Sequence, residues 1–349
     1  MSKKIIDLFC GCGGLSRGFE LAGFESILAI DMWNDAIKTY NYNHKKEVAI
    51  CKDIRELNNK YLEKIANENE ISGIIGGPPC QGYSTVGKRD INDERNYLYL
   101  EYCRIVEKVK PQFFVLENVK GLLTLNNGMF KEDIIKRFES LGYIVTYKVL
   151  NASDYGVPQN RQRVFFVGIK NKKFKFPKEF GYRISTKEAI SDLENCSSHY
   201  KCEPKTEYQK IMRNRQNELK NNEITVHSEQ TTLIINLIPD GGKIKDIDEK
   251  YWKVRKYNKA FQRMNSNLPS NTIDTGHRNY FHYKENRIPT VRESARIQSF
   301  SDDFIFLGSK TSQYKQVGNA VPPLLAKAIA IAIDEQLNSR SIKEDNNGN

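Results

Sequence analysis

Lys4-Ile-Ile-Asp-Leu-Phe-Cys-Gly-Cys-Gly-Gly14 decides how the rest of the chain is read. Lys4 to Phe9 is a short apolar strand, Cys10 to Gly14 a glycine-rich turn, and Leu15 to Ala22 reads as a helix. This order lets backbone N–H groups approach a ligand closely at a helix N-terminus. The spacing is not the dinucleotide pattern: Gly11, Gly13 and Gly18 give only a loose imitation of GxGxxG, and an ordinary tight turn accounts for them equally well. Moving outward, a second strand, Ser26 to Ile30, ends in Asp31, where a carboxylate can accept hydrogen bonds from ribose hydroxyls. A third, Val48 to Lys52, ends in Asp53. Three successive strand ends carrying Gly or Asp point to a nucleoside pocket at the carboxyl edge of a parallel sheet. The expected fold class is α/β, with a doubly wound, mostly parallel, Rossmann-like sheet.

The fourth strand, Ile71 to Ile75, runs into Gly76-Gly-Pro-Pro-Cys80-Gln-Gly-Tyr-Ser84. Two glycines open backbone conformations closed to other residues, and two prolines then fix φ and remove donors. Cys80 therefore leaves the strand in a pre-set direction. A thiol there, beside a polar segment running to Asn96, suits a nucleophile that meets a substrate and is then covered. A buried structural cysteine in a tight turn fits this stretch as well. A helix, Tyr97 to Val109, leads to a fifth strand, Gln112 to Leu116, ending in Glu117-Asn-Val119. Neighbouring strands lie about 5 Å apart, so Cys80 and Glu117 can share a pocket. A further helix (Lys131 to Leu141) and strand (Tyr143 to Leu150) precede Gln159-Asn-Arg161-Gln-Arg163 and the strand Val164 to Ile169. Gln159, Arg161 and Arg163 alternate at period 2, which places all three on one strand face. Arginines there suit a pyrimidine carbonyl or a phosphate; a solvated edge strand is the alternative.

The 349 residues suffice for one large domain, or one with a sizeable insertion. A hydrophobic content of 39% excludes a disordered chain. The formal net charge is +11, and residues 170–260 alone hold 20 basic against 13 acidic residues. Such clustering suits a polyanion, nucleic acid before an anionic membrane, or a merely basic surface. Tyr251-Trp-Lys-Val-Arg-Lys-Tyr257 mixes basic and aromatic residues as nucleic-acid surfaces do. Seven cysteines, none in a paired CxxC arrangement, and five scattered histidines give no zinc pattern, so no metal is expected. No signal peptide is recognisable, and no run approaches the ~18 apolar residues of a membrane span. A reduced, cytoplasmic protein without membrane attachment is expected.

Taken in order, the quoted motifs resemble those of the cytosine-5 DNA methyltransferases of bacterial restriction-modification systems. They are Asp7-Leu-Phe-Cys-Gly-Cys-Gly-Gly14, Asp31, Asp53, Gly77-Pro-Pro-Cys80-Gln, Glu117-Asn-Val119, Gln159-x-Arg161-x-Arg163, Arg292-Glu-Ser-Ala-Arg-Ile-Gln298 and Gln316-Val-Gly-Asn-Ala-Val-Pro-Pro323. The resemblance implies S-adenosyl-L-methionine as cofactor. Phe9, Gly11, Gly13 and Gly14 would line its pocket, Asp31 would hold the ribose and Met32 would lie against the adenine. Asp53 and Ile54 would read the adenine edge, Leu98 would pack on the cofactor, and Asn319 would reach it from the C-terminal side. Cys80 would be the nucleophile, Glu117 the acid at N3, and Arg161 and Arg163 the holders of the base. Gln81, Ser84, Lys88, Arg89 and Gln159 would meet the substrate, with the loop from Gln81 to Asn96 as a lid over a flipped-out cytosine.

Two departures are visible: Asp31 stands where Glu is commoner, and Ser301 replaces the usual proline. The resemblance also implies an organisation: residues 1–174 catalytic, 175–285 target recognition, 286–338 C-terminal motifs returning to the catalytic domain, and 339–349 a disordered tail. Double-stranded DNA is the implied partner of a monomer, with any cognate restriction endonuclease acting separately. An RNA-directed member of the superfamily shares the catalytic motifs, but its Cys-Phe-Thr element is absent here. A dead DNA-binding relative would lack Cys80, Glu117 or an arginine, and an NAD-dependent oxidoreductase is disfavoured by the glycine spacing.

Overall fold

The computed structural model describes residues 2–79, 97–214, 216–254, 261–275 and 280–338. Its first half alternates strands and helices: β1 (Lys4–Leu8), α1 (Gly14–Glu20), β2 (Glu25–Asp31), α2 (Asn34–Asn43), β3 (Ala49–Cys51), α3 (Asn59–Glu68), β4 (Ile71–Gly76), α4 (Leu98–Val109), β5 (Phe113–Val119), α5 (Met129–Ser140), β6 (Tyr143–Asn151) and β7 (Gln162–Lys170). The seven strands form one sheet in the order β3-β2-β1-β4-β5-β7-β6. β1 to β5 are parallel, and β7 inserts antiparallel between β5 and β6. Strand order reverses beside β1, between β2 and β4, the place where open α/β sheets bind ligands.

Alternation along the strands loads both faces. On one side Ile6, Leu8, Ile74, Phe114, Leu116 and Phe166 pack on α3, α4 and α5 through Leu62, Tyr102, Val106, Ile134 and Phe138. On the other, Ile5, Ile75, Phe113, Val115, Phe165 and Val167 meet Leu15 and Phe19 of α1. That face is completed by the last helix, α11 (Pro323–Asn338), through Leu325, Ile329 and Ile333. α1 and α11 touch closely enough that a Cβ on Gly18 would stand 2.3 Å from the Ala326 Cβ and 2.5 Å from the Pro323 carbonyl oxygen.

A second lobe has its own core. It contains α6 (Thr186–Ile190), α7 (Glu207–Arg213), α8 (Glu229–Leu237), the two-stranded parallel pair β8 (Gln262–Arg263) and β9 (Tyr280–Phe281), α9 (Val291–Ile297) and α10 (Lys310–Asn319). Ile190, Leu193, Met212, Ile234, Ile235, Phe281, Ala295, Phe300, Phe304 and Val317 are buried together. The C-terminal motifs thus divide: α9, residues 300–306 and α10 belong to this second core, and α11 alone returns to the sheet. Between the lobes runs an extended strip, 304–307, bonded on both sides. Toward α2, Asn43 exchanges two hydrogen bonds with the Ile305 backbone (2.6 and 2.7 Å), and the Thr39 hydroxyl accepts from the Leu307 N–H (2.9 Å). Toward the second lobe, Asn221 does the same with Phe306 (2.9 and 2.8 Å), and Arg292 donates to the Phe304 carbonyl (2.8 Å).

Candidate active site

The glycine turn is built as its sequence demands. Phe9, Gly11 and Gly13 have φ of 59°, 53° and 94°, a region costly for residues with a Cβ. Asp31 pins the turn: its carboxylate accepts from the Gly11 N–H (2.9 Å) and from the Trp33 N–H (2.9 Å). Burial raises its pKa, while those backbone bonds oppose the shift. A Cβ on Gly13 would collide with the His44 ring (2.3 Å) and one on Gly14 with the Val321 carbonyl (2.4 Å). His44 is itself held by Glu20 (2.7 Å) and stacked on Tyr40. At Gly11, by contrast, a Cβ would meet nothing within 4 Å among the described residues, so the turn presents bare backbone to open space. Met32 is 63% exposed beside it, and Ile54 is buried. Asp53 lies at the next strand end, but its carboxylate binds Arg55 through the backbone N–H (2.9 Å) and the guanidinium (2.6 Å). The hydrogen bonds from Arg55 lower its pKa. Leu98 opens α4 and packs on the core around Tyr102, while Asn319 is exposed at the end of α10.

β4 and β5 are neighbours in parallel register, and their ends meet as adjacency requires. A Cβ on Gly77 would stand 2.9 Å from the Glu117 Oε2, so the carboxyl lies directly against the glycine. Asn118 donates to the Pro78 carbonyl (2.9 Å), which ties the rigid Gly77-Pro78-Pro79 exit to β5. Cys80 follows one residue later, outside the described residues, as do Gln81, Ser84, Lys88 and Arg89. Glu117 is 12% exposed and ion-paired with Arg163 at 3.0 Å (Nε to Oε1). Its pKa is raised by burial, against the opposing pull of Arg163 and Arg161. Arg161 is buried and donates to the Gly318 carbonyl (2.9 Å). Its Nε and Nη1 have no hydrogen-bond partner among the described residues.

The expectation of one strand face for Gln159, Arg161 and Arg163 is corrected. β7 begins at Gln162, so only Arg163 lies on the strand. Gln159 is fully buried, donating to the Gln298 side chain and accepting from the Ile273 N–H (3.0 Å). Its amide joins the two lobes. Asn118 and His44 were not picked out from the sequence. Asn118 could have been, since it sits within the quoted Glu117-Asn-Val119.

A parallel sheet with this strand order, an inserted antiparallel strand and a glycine turn pinned by the acid of β2 is the Rossmann-like architecture of methyltransferases. Residues 3–335 match the family model described as C-5 cytosine-specific DNA methylase. The Type II methyltransferase M1.HphI of Haemophilus parahaemolyticus is 39% identical, the match covering 95% of this chain and 87% of that protein. The Type II methyltransferase M.DdeI of Desulfomicrobium norvegicum is 38% identical, with 99% and 91% covered. Among solved structures, a putative DNA modification methyltransferase encoded within a prophage of E. coli superposes with a TM-score of 0.83 at 27% identity, over 97% of this chain and all of that one. The chain belongs to the C-5 cytosine-specific DNA methylase family. Its reaction is methyl transfer to cytosine in DNA, which requires a methyl donor.

Proposed function

We propose that this chain is a site-specific DNA (cytosine-5)-methyltransferase that uses S-adenosyl-L-methionine and attacks a flipped-out cytosine through Cys80. The observation that carries the reading is the buried carboxyl of Glu117, its pKa raised by burial, paired with Arg163 and seated against Gly77, three residues ahead of Cys80. The cofactor suits the residues at the other strand ends. Gly11 offers bare backbone beside open space, Asp31 is an acid at a ribose position, and Met32 and Ile54 supply apolar surface. When bound, S-adenosyl-L-methionine supplies an electrophilic methyl group.

C5 of cytosine is a poor nucleophile, and thiolate addition at C6 makes it an enamine-like carbon. Cys80 forms this C6–S bond. Glu117 holds its proton toward N3, so that charge does not accumulate on the ring as the thiolate adds. Arg163 keeps the carboxyl oriented, and the two unpartnered nitrogens of Arg161 leave donors for the base or its backbone. Loss of the C5 proton and departure of the Cys80 thiolate then restore the aromatic ring. None of these atoms is reachable in a stacked duplex, so the cytosine is extruded. Residues 175–285 recognise the DNA sequence, and any cognate restriction endonuclease acts as a separate protein.

The test is duplex DNA carrying 5-fluorocytosine at the methylated position, incubated with cofactor. Fluorine cannot leave as a proton does, so wild type becomes covalently trapped and Cys80→Ala does not. Glu117→Gln binds the DNA yet loses about 10²–10⁴ in rate. Turnover by Cys80→Ala near the wild-type rate would overturn the assignment.

A further inference from the structure

Trp33 and Lys315 were not among the cofactor contacts expected from the sequence, yet they meet beside the Asp31-pinned glycine turn. Trp33 follows Met32 at the end of β2, and its N–H is fixed by Asp31, the same carboxylate that pins Gly11. Lys315 comes from the far end of the chain, on α10. Its ammonium sits over the Trp33 ring at 4.8 Å from the centroid, within the range of a cation–π contact. Lys315 is exposed and has no carboxylate partner among the described residues. Its contact with the ring is therefore not a by-product of an ion pair. α10 is a firm base for it: Tyr314 and Val317 are buried in the second core, and the Gln316 carbonyl lies 3.7 Å from the Cys12 sulfur of the glycine turn.

We propose that Trp33 and Lys315 form a latch across the rim of the cofactor pocket, with Lys315 a positioning residue for the nucleoside half of the methyl donor. This rests on the S-adenosyl-L-methionine reading above. Trp33 is anchored twice, through its backbone to Asp31 and through its ring to Lys315, by parts of the chain some 280 residues apart. The indole thus stands as a fixed wall beside the ribose acid before the ligand arrives, which lowers the ordering cost of binding. Without the lysine the ring turns freely and must be ordered by the ligand.

The chain contains two tryptophans, and the other, Trp252, is partly exposed in the second lobe. A Trp252→Phe parent therefore reports Trp33 emission alone. S-adenosylhomocysteine is titrated into this parent and into its Lys315→Met and Lys315→Arg derivatives, by calorimetry and by emission. Lys315→Met is expected to weaken binding about threefold to fivefold and to shift ligand-free Trp33 emission, with Arg restoring both. Affinity and emission unchanged in Lys315→Met, or no rescue by Arg, would overturn the latch alone. Failure of the parent to bind S-adenosylhomocysteine would overturn the cofactor reading and the latch with it.

Discussion

At the mouth of the sheet, the acids bond to close neighbours, backbone and side chain alike: Asp31 holds the Gly11 and Trp33 N–H groups, Asp53 the Arg55 N–H and guanidinium, and Glu117 the Arg163 guanidinium on the adjoining strand. In the second lobe, charges sit in the middle of the core and bond to one another across the sequence. Arg296 grips Asp302 through Nε (2.8 Å) and Nη2 (2.6 Å) and reaches Asp192 through Nη1 (2.8 Å), with all three side chains fully buried. Arg213 adds a second contact to Asp192 (3.1 Å), and Arg287 pairs with buried Glu293 (2.7 Å). The pairing holds the pKa of Asp302 and Glu293 below their ordinary values despite the opposing effect of burial. The sheet lobe can rely on repeating hydrogen bonds and two apolar faces. Among the described residues the second lobe has two strands of two residues each, and it obtains definition from buried ion pairs, whose removal by halves is expensive.

The sharpest way to break this contrast is Arg296→Ala. Two carboxylates remain buried without their main partner, so stability should fall by about 3–5 kcal/mol, read from urea denaturation. A loss under about 1 kcal/mol would show that the pair is not what defines this lobe. Next comes Gly14→Ala in the sheet lobe, where the added Cβ meets a backbone carbonyl at 2.4 Å. Overpacking of this kind costs about 1–3 kcal/mol, measurable in the same assay.

A pH series separates the lobes by sign. Asp7, fully buried on β1 and bonded to Ser16 (2.6 Å), has its pKa raised by burial from 3.8 to about 7. The folded state therefore binds this proton more tightly than the unfolded chain does. Its contribution to stability decreases as pH rises from about 4 to about 7 and is level beyond. Asp302 and Glu293 act oppositely: their stabilisation is present at neutral pH and is lost as pH falls through their depressed values. Asp7→Asn should remove a slope of at most about 1.4 kcal/mol per pH unit between those limits. An unaltered slope would mean that Asp7 is not the responsible group. The smallest effect belongs to the surface pair Lys46–Glu25, where both side chains are largely exposed. Lys46→Ala should change stability by no more than about 0.5 kcal/mol.

The same contrast explains what could be read in advance. β1, β2, β4 and β5 announce themselves as short apolar runs ending in Gly, Asp or Glu, because each strand is buried on both faces and its chemistry lies at its own end. Glu117 and the Asp31–Gly11 turn follow from that rule. The period-2 pattern failed at Gln159 and Arg161 because it was carried past the beginning of β7 into a lead-in held by Ser270 and Gly318, more than a hundred residues away. In the second lobe, residues 170–260 are legible only as clustered basic charge with a basic-aromatic stretch at 251–257. Its core draws single apolar residues from α6 to α10, and no local periodicity records that Arg296 will meet Asp192. Residues 286–338, expected to return together to the catalytic domain, supply α9 and α10 to the second core and α11 to the sheet.

The seating of α11 against α1 has a consequence for how the protein is made. The face of the sheet carrying Ile5, Ile75, Phe113 and Phe165 is completed by Leu325, Ile329 and Ile333 of α11. A ribosome adds ~5–20 residues per second, so that face waits on the order of ten seconds between completion of β7 and emergence of α11. During that interval α1, Tyr155 and Phe174 cover part of that face, and the apolar area that α11 completes stays exposed. Synthesis that stalls short of residue 323 would leave a protein with its glycine turn, Cys80 and Glu117 all present and the α11-covered part of its sheet open to aggregation.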